Sequence, residues 1–206
     1  MKARILVWLV ALFCCHNVLF AQKEFVNASA RLSGHPRILL QKGEEKALKK
    51  VIMKDAVWKD IHQSLVDEAG EIVKLPLNER IKTGRRLLSV SRENLRRIFI
   101  LSYAYRMTGK NEFLKRAESE MLKAASFSDW NPSHFLDVGE MTMALAIGYD
   151  WLYPQLSVQT KKEIENAIVE KGLKPSFDER YNWFVNAVHN WSQVCHAGVT
   201  LSLIHI

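Results

Sequence analysis

The sequence predicts an all-α fold. Apolar residues recur at steps of three and four through most of the chain, the period of a helix with one buried face. No alternating apolar–polar run of useful length appears, so nothing reads as a half-buried strand. Glycines and prolines fall between the periodic segments and act as punctuation.

The elements follow in order. Across 43–75, Leu48, Val51 and Ile52, then Trp58, Ile61 and Leu65, keep the helical period, and Pro76 closes the region. Ser91 reads as the N-cap of a helix whose body is 94–107. Its stripe is Leu95, Ile98, Phe99, Ser102 and Tyr105, and Gly109 stands where a helix end favours a left-handed residue. Phe113, Ala117, Met121 and Leu122 mark a further helix over 112–125. With the Thr-Gly-Lys-Asn turn between them, these two form an αα-hairpin. The segment HFLDVGEMTMALAIGYDWLY, 134–153, is apolar nearly all round in its second half, as a helix buried on several sides must be. Pro154 stops it. Ser157 is the expected N-cap of a helix over 158–171, with Ile164 and Ile168 facing inward and Gly172 at its end. LKPSFDERYNW reads as loop. The last helix begins near Asn190 and runs through Val194, Val199 and Leu203. No phased repeat or low-complexity segment is present.

The first 21 residues read as a secretory signal peptide, 1–21. Lys2 and Arg4 precede a short apolar run, and Ala21 offers a small residue before Gln22. The run is too short to span a bilayer, which needs roughly 20 apolar residues. The expectation is a periplasmic or secreted protein with no stable membrane insertion after cleavage. Cleavage removes Cys14 and Cys15 and leaves Cys195 alone, so an internal disulfide is excluded and 22–206 must hold by packing. The 29 Lys and Arg outnumber the 22 Asp and Glu, giving a net charge of +7. The basic residues are interspersed with acids and form no block, which argues against nucleic acid. A solvated mixed-charge surface and an acidic polysaccharide partner both fit that pattern.

Chemistry concentrates in AVHNWSQVCHAG, which places His189, Asn190 and Trp191 at a helix start and Cys195 and His196 one turn on. Unpaired N–H groups and positive dipole character at a helix N-terminus suit an anion. Asn190 could equally cap the helix through the amides of Ser192 or Gln193. Trp183 and Trp191 are candidate sugar-stacking rings or ordinary core, and Tyr181 and Asn182 lie in the preceding loop. Neighbouring helical residues point about 100 degrees apart, so Cys195 and His196 are poor metal co-ligands; no metal-binding motif occurs, and Cys195 reads as a small buried hydrophobe. Asp150 and Glu140 are candidates for the floor of a cleft, Asp150 also for bonding a backbone terminus. The final helix is still apolar at Ile206, which predicts that the chain is a fragment of a longer protein.

Three segments carry a resemblance. HPRILL opens the mature region, FLDVGEMT leads into AIGYDWLYP, and HNWSQVC follows in that order. Together they resemble the N-terminal region of the heparinase II/III family of polysaccharide lyases, over nearly all of 22–206. The resemblance implies part of an incomplete α/α toroid built from antiparallel helical hairpins, with the remaining helices and a β-sandwich absent. It implies β-elimination on uronic-acid glycans such as heparin or heparan sulfate, with no cofactor. His189 falls on the position of the donor that neutralises the uronate carboxylate, with Asn190 as alternative or helper; Tyr181, Asn182, Trp183 and Trp191 would contact substrate. The tyrosine that serves as acid and often as base lies further downstream in that family, so the fragment alone is expected to be inactive. Two other classes stay open: a glycoside hydrolase using two of Asp129, Asp137, Glu140 and Asp150 across a cleft of about 5–10 Å, and a non-catalytic helical glycan-binding protein.

Overall fold

The computed structural model describes residues 34–203. The signal-peptide reading of 1–21 therefore lies outside the described residues, as does Ile206. Within them the fold is all-helical, and the only strand-like pairing is a single bridge between Thr83 and Arg86. The helices are α1 (Glu45–Lys54), α2 (Ala56–Lys74), α3 (Leu88–Thr108), α4 (Asn111–Ala125), α5 (Phe135–Leu152), α6 (Val158–Ala167), the short α7 (Lys174–Ser176) and α8 (Asn190–Leu203). A π-helical turn, Ile168–Leu173, joins α6 to α7, and a 3-10 turn, Asn182–Asn186, precedes α8.

Most expected elements form, and the departures have local causes. The predicted helix over 43–75 is broken at Asp55, whose backbone is extended and whose carboxylate accepts the amides of Val57 and Trp58. An Asp N-cap of this kind stabilises a helix start by about 1 kcal/mol, enough to favour two helices. Ser91 is not a cap. The α3 helix begins three residues earlier, and the Ser91 hydroxyl bonds back to the carbonyls of Leu87 and Leu88. The first amide is satisfied from far away instead: Leu87 N–H donates to the Asp137 carboxylate at 2.6 Å. Gly109 is left-handed, φ 74°, and ends α3 as expected. Ser157 caps α6 by accepting the Thr160 amide at 3.0 Å.

Gly172 does not end its helix. The chain continues through the π-turn because a Cβ at Gly172 would stand 2.6 Å from Thr142 Oγ1 and 3.2 Å from Trp130. The glycine is there for close packing against α5. The π-turn widens the backbone where α5 presses on it.

Helix α5 is the axis of the core. All its residues except Met143 are buried, as its all-round hydrophobicity demands. It runs beside α3, and the contacts advance together along both: Leu87 with Asp137, Arg92 with Glu140, Phe99 with Trp151. It runs beside α8 in the same sense. His134 meets Trp191, Gly139 meets Cys195 and Gly198, and Leu201 joins the cluster around Ile147 and Trp151. Thus α3, α5 and α8 lie side by side with their N-termini at one end.

Helices α2, α4 and α6 pack behind. Arg97 of α3 meets Glu120 of α4 at 3.0 Å, Arg96 pairs with Glu68 of α2, and Glu118 of α4 accepts from Thr160 of α6 at 2.7 Å. Trp130, Tyr149, Phe113 and Phe135 are fully buried between the helices. Each contributes about 1.5–3 kcal/mol by leaving water.

The opening HPRILL segment is held by the far end of α5. The Asp150 carboxylate accepts the amides of Arg37 and Ile38 at 3.0 Å and bonds His35 Nδ1 at 2.7 Å. Trp151 Nε1–H donates to the Ile38 carbonyl. Arg106 completes the clamp through the carbonyls of Leu40 and Gln41 and the Glu45 carboxylate, with its guanidinium over the Trp151 ring.

Candidate functional site

The residues singled out in AVHNWSQVCHAG reach the surface at the N-terminal end of α8. His189 and Asn190 are both exposed. The expected cap is supplied by the other member of the pair. Trp191 N–H donates to His189 Nδ1, long at 3.4 Å, and Ser192 N–H donates to the His189 carbonyl at 3.0 Å. A ring that accepts at Nδ1 carries its proton on Nε2. His189 therefore has its Nε2–H as a donor, and Asn190, the first residue of the helix, adds an amide beside it.

Rings surround this pair. Trp183 and Trp191 pack 4.8 Å apart, and His189 lies 6.0 Å from Trp183 and 6.4 Å from Trp191, centroid to centroid. Trp183 is 46% exposed, an unusual investment of apolar surface for an indole that only fills core. Trp191 is half-buried. Tyr181 is half-buried too, packing on the core with Arg180 over its ring. Asn182, also half-buried, opens the 3-10 turn that carries Trp183. That turn is anchored by Phe184, which stacks on Phe135 of α5 at 4.3 Å.

The structure adds residues that the sequence reading passed over. His134, at the start of α5, meets the Trp191 ring edge-on at 4.7 Å. Its Nδ1 lies 2.7 Å from an Asp137 oxygen. Asp137 is fully buried and also accepts from Asn131 Nδ2 at 2.6 Å and from the Leu87 amide. One carboxylate thus fixes an imidazole, a loop and the start of α3. Asn131 adopts the left-handed region, φ 60°, which asparagine tolerates better than most residues. Its other Nδ2 contact is the Arg85 carbonyl at 2.9 Å. The available signal was the His-x-x-Asp spacing at a helix start, which sets both side chains on one face.

One turn further along α5, Glu140 faces Arg92, whose Nε lies 3.1 and 3.2 Å from its two oxygens. Burial holds the Glu140 carboxyl above its ordinary range, against the opposing pull of Arg92. A groove of about 430 Å³ crosses α3, α5 and α8 here, lined by Arg92, Leu95, Arg96, Glu140, Met143 and Val194. A second groove, about 590 Å³, adjoins it through Arg92 and is lined by Thr83, Arg85, Arg86, Leu88 and Ser89.

The four carboxylates considered for hydrolysis are differently placed. Asp137 and Asp150 are fully buried and hydrogen-bonded to other parts of the chain. Asp129 pairs with Arg80 at 2.5 Å. Glu140 borders the 430 Å³ groove. Asp150 clamps the opening segment and forms no cleft floor. Cys195 is fully buried, and His196 bonds back to Ser192 on its own helix. Among the described residues no three His, Cys, Asp or Glu side chains converge as metal ligands, and no helix is long and apolar enough to cross a membrane. No protein-family model matches the chain, and a search of curated proteins finds no match.

Proposed function

We propose that the chain is the helical part of a polysaccharide lyase acting on uronic-acid glycans, with His189 and Asn190 as the carboxylate-neutralising donors. The observation that carries this reading is the exposed His189–Asn190 pair at the start of α8, flanked by Trp183 and Trp191. The side-by-side course of α3, α5 and α8, with α2, α4 and α6 behind them, supports the idea of antiparallel hairpins forming an arc of an incomplete α/α toroid.

The chemistry follows from charge. A uronate C5 proton is hard to remove because the adjacent carboxylate is already negative and the developing carbanion adds to it. The His189 Nε2–H and the Asn190 amide, held against that carboxylate, stabilise the enolate-like charge as it grows. Positive dipole character at the start of α8 acts in the same direction. The indoles of Trp183 and Trp191 offer flat apolar faces for pyranose rings. A base for the C5 proton and an acid for the departing O4 are still required, and no residue of this chain is assigned to either. On this reading the 206 residues bind substrate without turning it over, and the protein acts in the periplasm or outside the cell. A hydrolase reading has weaker support, since Asp137 and Asp150 are sealed from any groove.

The test is calorimetric binding of a defined oligouronate to the wild type, His189→Ala and Asn190→Ala. A hydrogen bond to a charged group is worth about 1.5–3 kcal/mol, so at least one variant should bind about tenfold more weakly. Undiminished binding by both would remove the neutraliser assignment and favour a non-catalytic glycan-binding role.

A further inference from the structure

We infer that the 83–86 turn and Arg92 form an anion subsite that takes a second acidic group of the same glycan, away from the carboxylate at His189. The inference rests on the glycan reading above and adds to it a requirement for at least two anionic groups on the bound segment.

The turn is rigid. Thr83 N–H donates to the Arg86 carbonyl at 2.8 Å, and Arg86 N–H returns to the Thr83 carbonyl at 3.2 Å. Gly84 supplies the left-handed step, φ 60°, that so tight a reversal needs. Asn131 holds the Arg85 carbonyl, and Asp137 holds the Leu87 amide. The same Asp137 orients His134, which touches Trp191. The arginine turn is therefore tied by short bonds to the ring cluster that contains His189.

Arg85 and Arg86 are exposed and form no ion pair among the described residues, and no acidic residue lines the 590 Å³ groove that they share with Arg92. Arg92 gives its Nε–H to Glu140, and its terminal nitrogens make no hydrogen bond among the described residues. Arg85 and Arg86 add two positive charges to the groove, and Glu140 offsets only that of Arg92, so the lining favours an entering anion. Their planar forks match carboxylate and sulfate oxygens in pairs. Ser89 and Thr83 add hydroxyls at the rim.

The experiment measures binding of three probes: inorganic sulfate, an unsulfated oligouronate, and a sulfated oligouronate of equal length. The proteins are the wild type, the Arg85→Ala/Arg86→Ala double variant, Arg92→Ala and His189→Ala. Arg85 and Arg86 are surface residues, so the double variant should keep the wild-type melting curve. Loss of a guanidinium–anion pair should weaken oligosaccharide binding by about tenfold or more. If the second group is a sulfate, the wild type prefers the sulfated chain, competes with inorganic sulfate, and loses that preference in the double variant. If it is a carboxylate, the double variant weakens both oligosaccharides equally. Wild-type affinity of the double variant for both, or no binding of either oligosaccharide by the wild type, overturns the subsite. A loss in the double variant with full binding by His189→Ala keeps the subsite and overturns the neutraliser reading; the reverse pattern does the opposite.

Discussion

Asp137 holds His134 by a 2.7 Å contact to Nδ1, although the two stand only three residues apart and the carboxylate is fully buried. The same group takes the Leu87 amide 50 positions earlier and the Asn131 side chain. A carboxylate with three donors is stable in the interior because each donor offsets part of its desolvation. Asp137→Asn keeps the shape but turns one acceptor into a donor that faces other donors. It should destabilise the fold by about 1.5–3 kcal/mol, read as a lower urea midpoint, and it should broaden the NMR signals of His134.

Gly198 lies directly on Gly139. A Cβ at Gly198 would stand 2.1 Å from the Gly139 carbonyl oxygen and 2.8 Å from its carbon. Backbone cannot step aside as a flexible side chain does, so Gly198→Ala must spread α5 from α8. Overpacking of this kind costs about 1–3 kcal/mol. The expected result is a lower melting temperature and, on the proposed function, weaker glycan binding, because α8 carries Asn190 and follows directly on His189. Gly34→Ala, where a Cβ meets nothing within 4 Å, is the neutral comparison.

Burial, with help from the Glu140 charge, pushes the Cys195 thiol up to about 12. The thiolate is the reactive species, so Cys195 in the folded protein should resist a thiol reagent at pH 8. Unfolding in guanidinium should make Cys195 react fast. Rapid labelling of Cys195 in the native protein would contradict the packing of α8 against α5.

Acid should weaken the protein through Glu93. Its hydrogen bond to Arg96, with further support from Arg97, lowers its pKa from 4.5 to about 2, against the opposing effect of burial. A depressed folded-state value means that the unfolded chain binds the proton first. The stabilisation is complete above pH 4.5 and is lost as pH falls toward about 2. In Glu93→Gln the fall of stability over that window should be shallower than in the wild type. An identical slope in both proteins would show that other carboxylates govern acid unfolding.

Local signals were legible in the sequence. The helical period of α4 and α5, the Gly109 terminus and the Ser157 cap depend on residues within a turn or two of each other. The start of α3 was misread because its first amide is satisfied by Asp137, which no local window contains. Gly172 was misread because a glycine that permits close packing looks the same in sequence as one that ends a helix. At the site, the His189–Asn190 helix start and its neighbouring indoles were legible from their order along the chain. The His134–Asp137–Asn131 hub and the Arg85–Arg86 groove arise from chain crossings, and only the i, i+3 spacing of His134 and Asp137 hinted at them.

The Asp150 clamp sets a limit on shortening this protein from its front. Deleting 34–41 would strip a fully buried carboxylate of the Arg37 and Ile38 amides and of His35, and each lost hydrogen bond to a charged group costs about 1.5–3 kcal/mol. The segment that opens the helical layers is thus a structural keystone at the C-terminal end of α5, and a protease that nicks it would loosen α5 from that end.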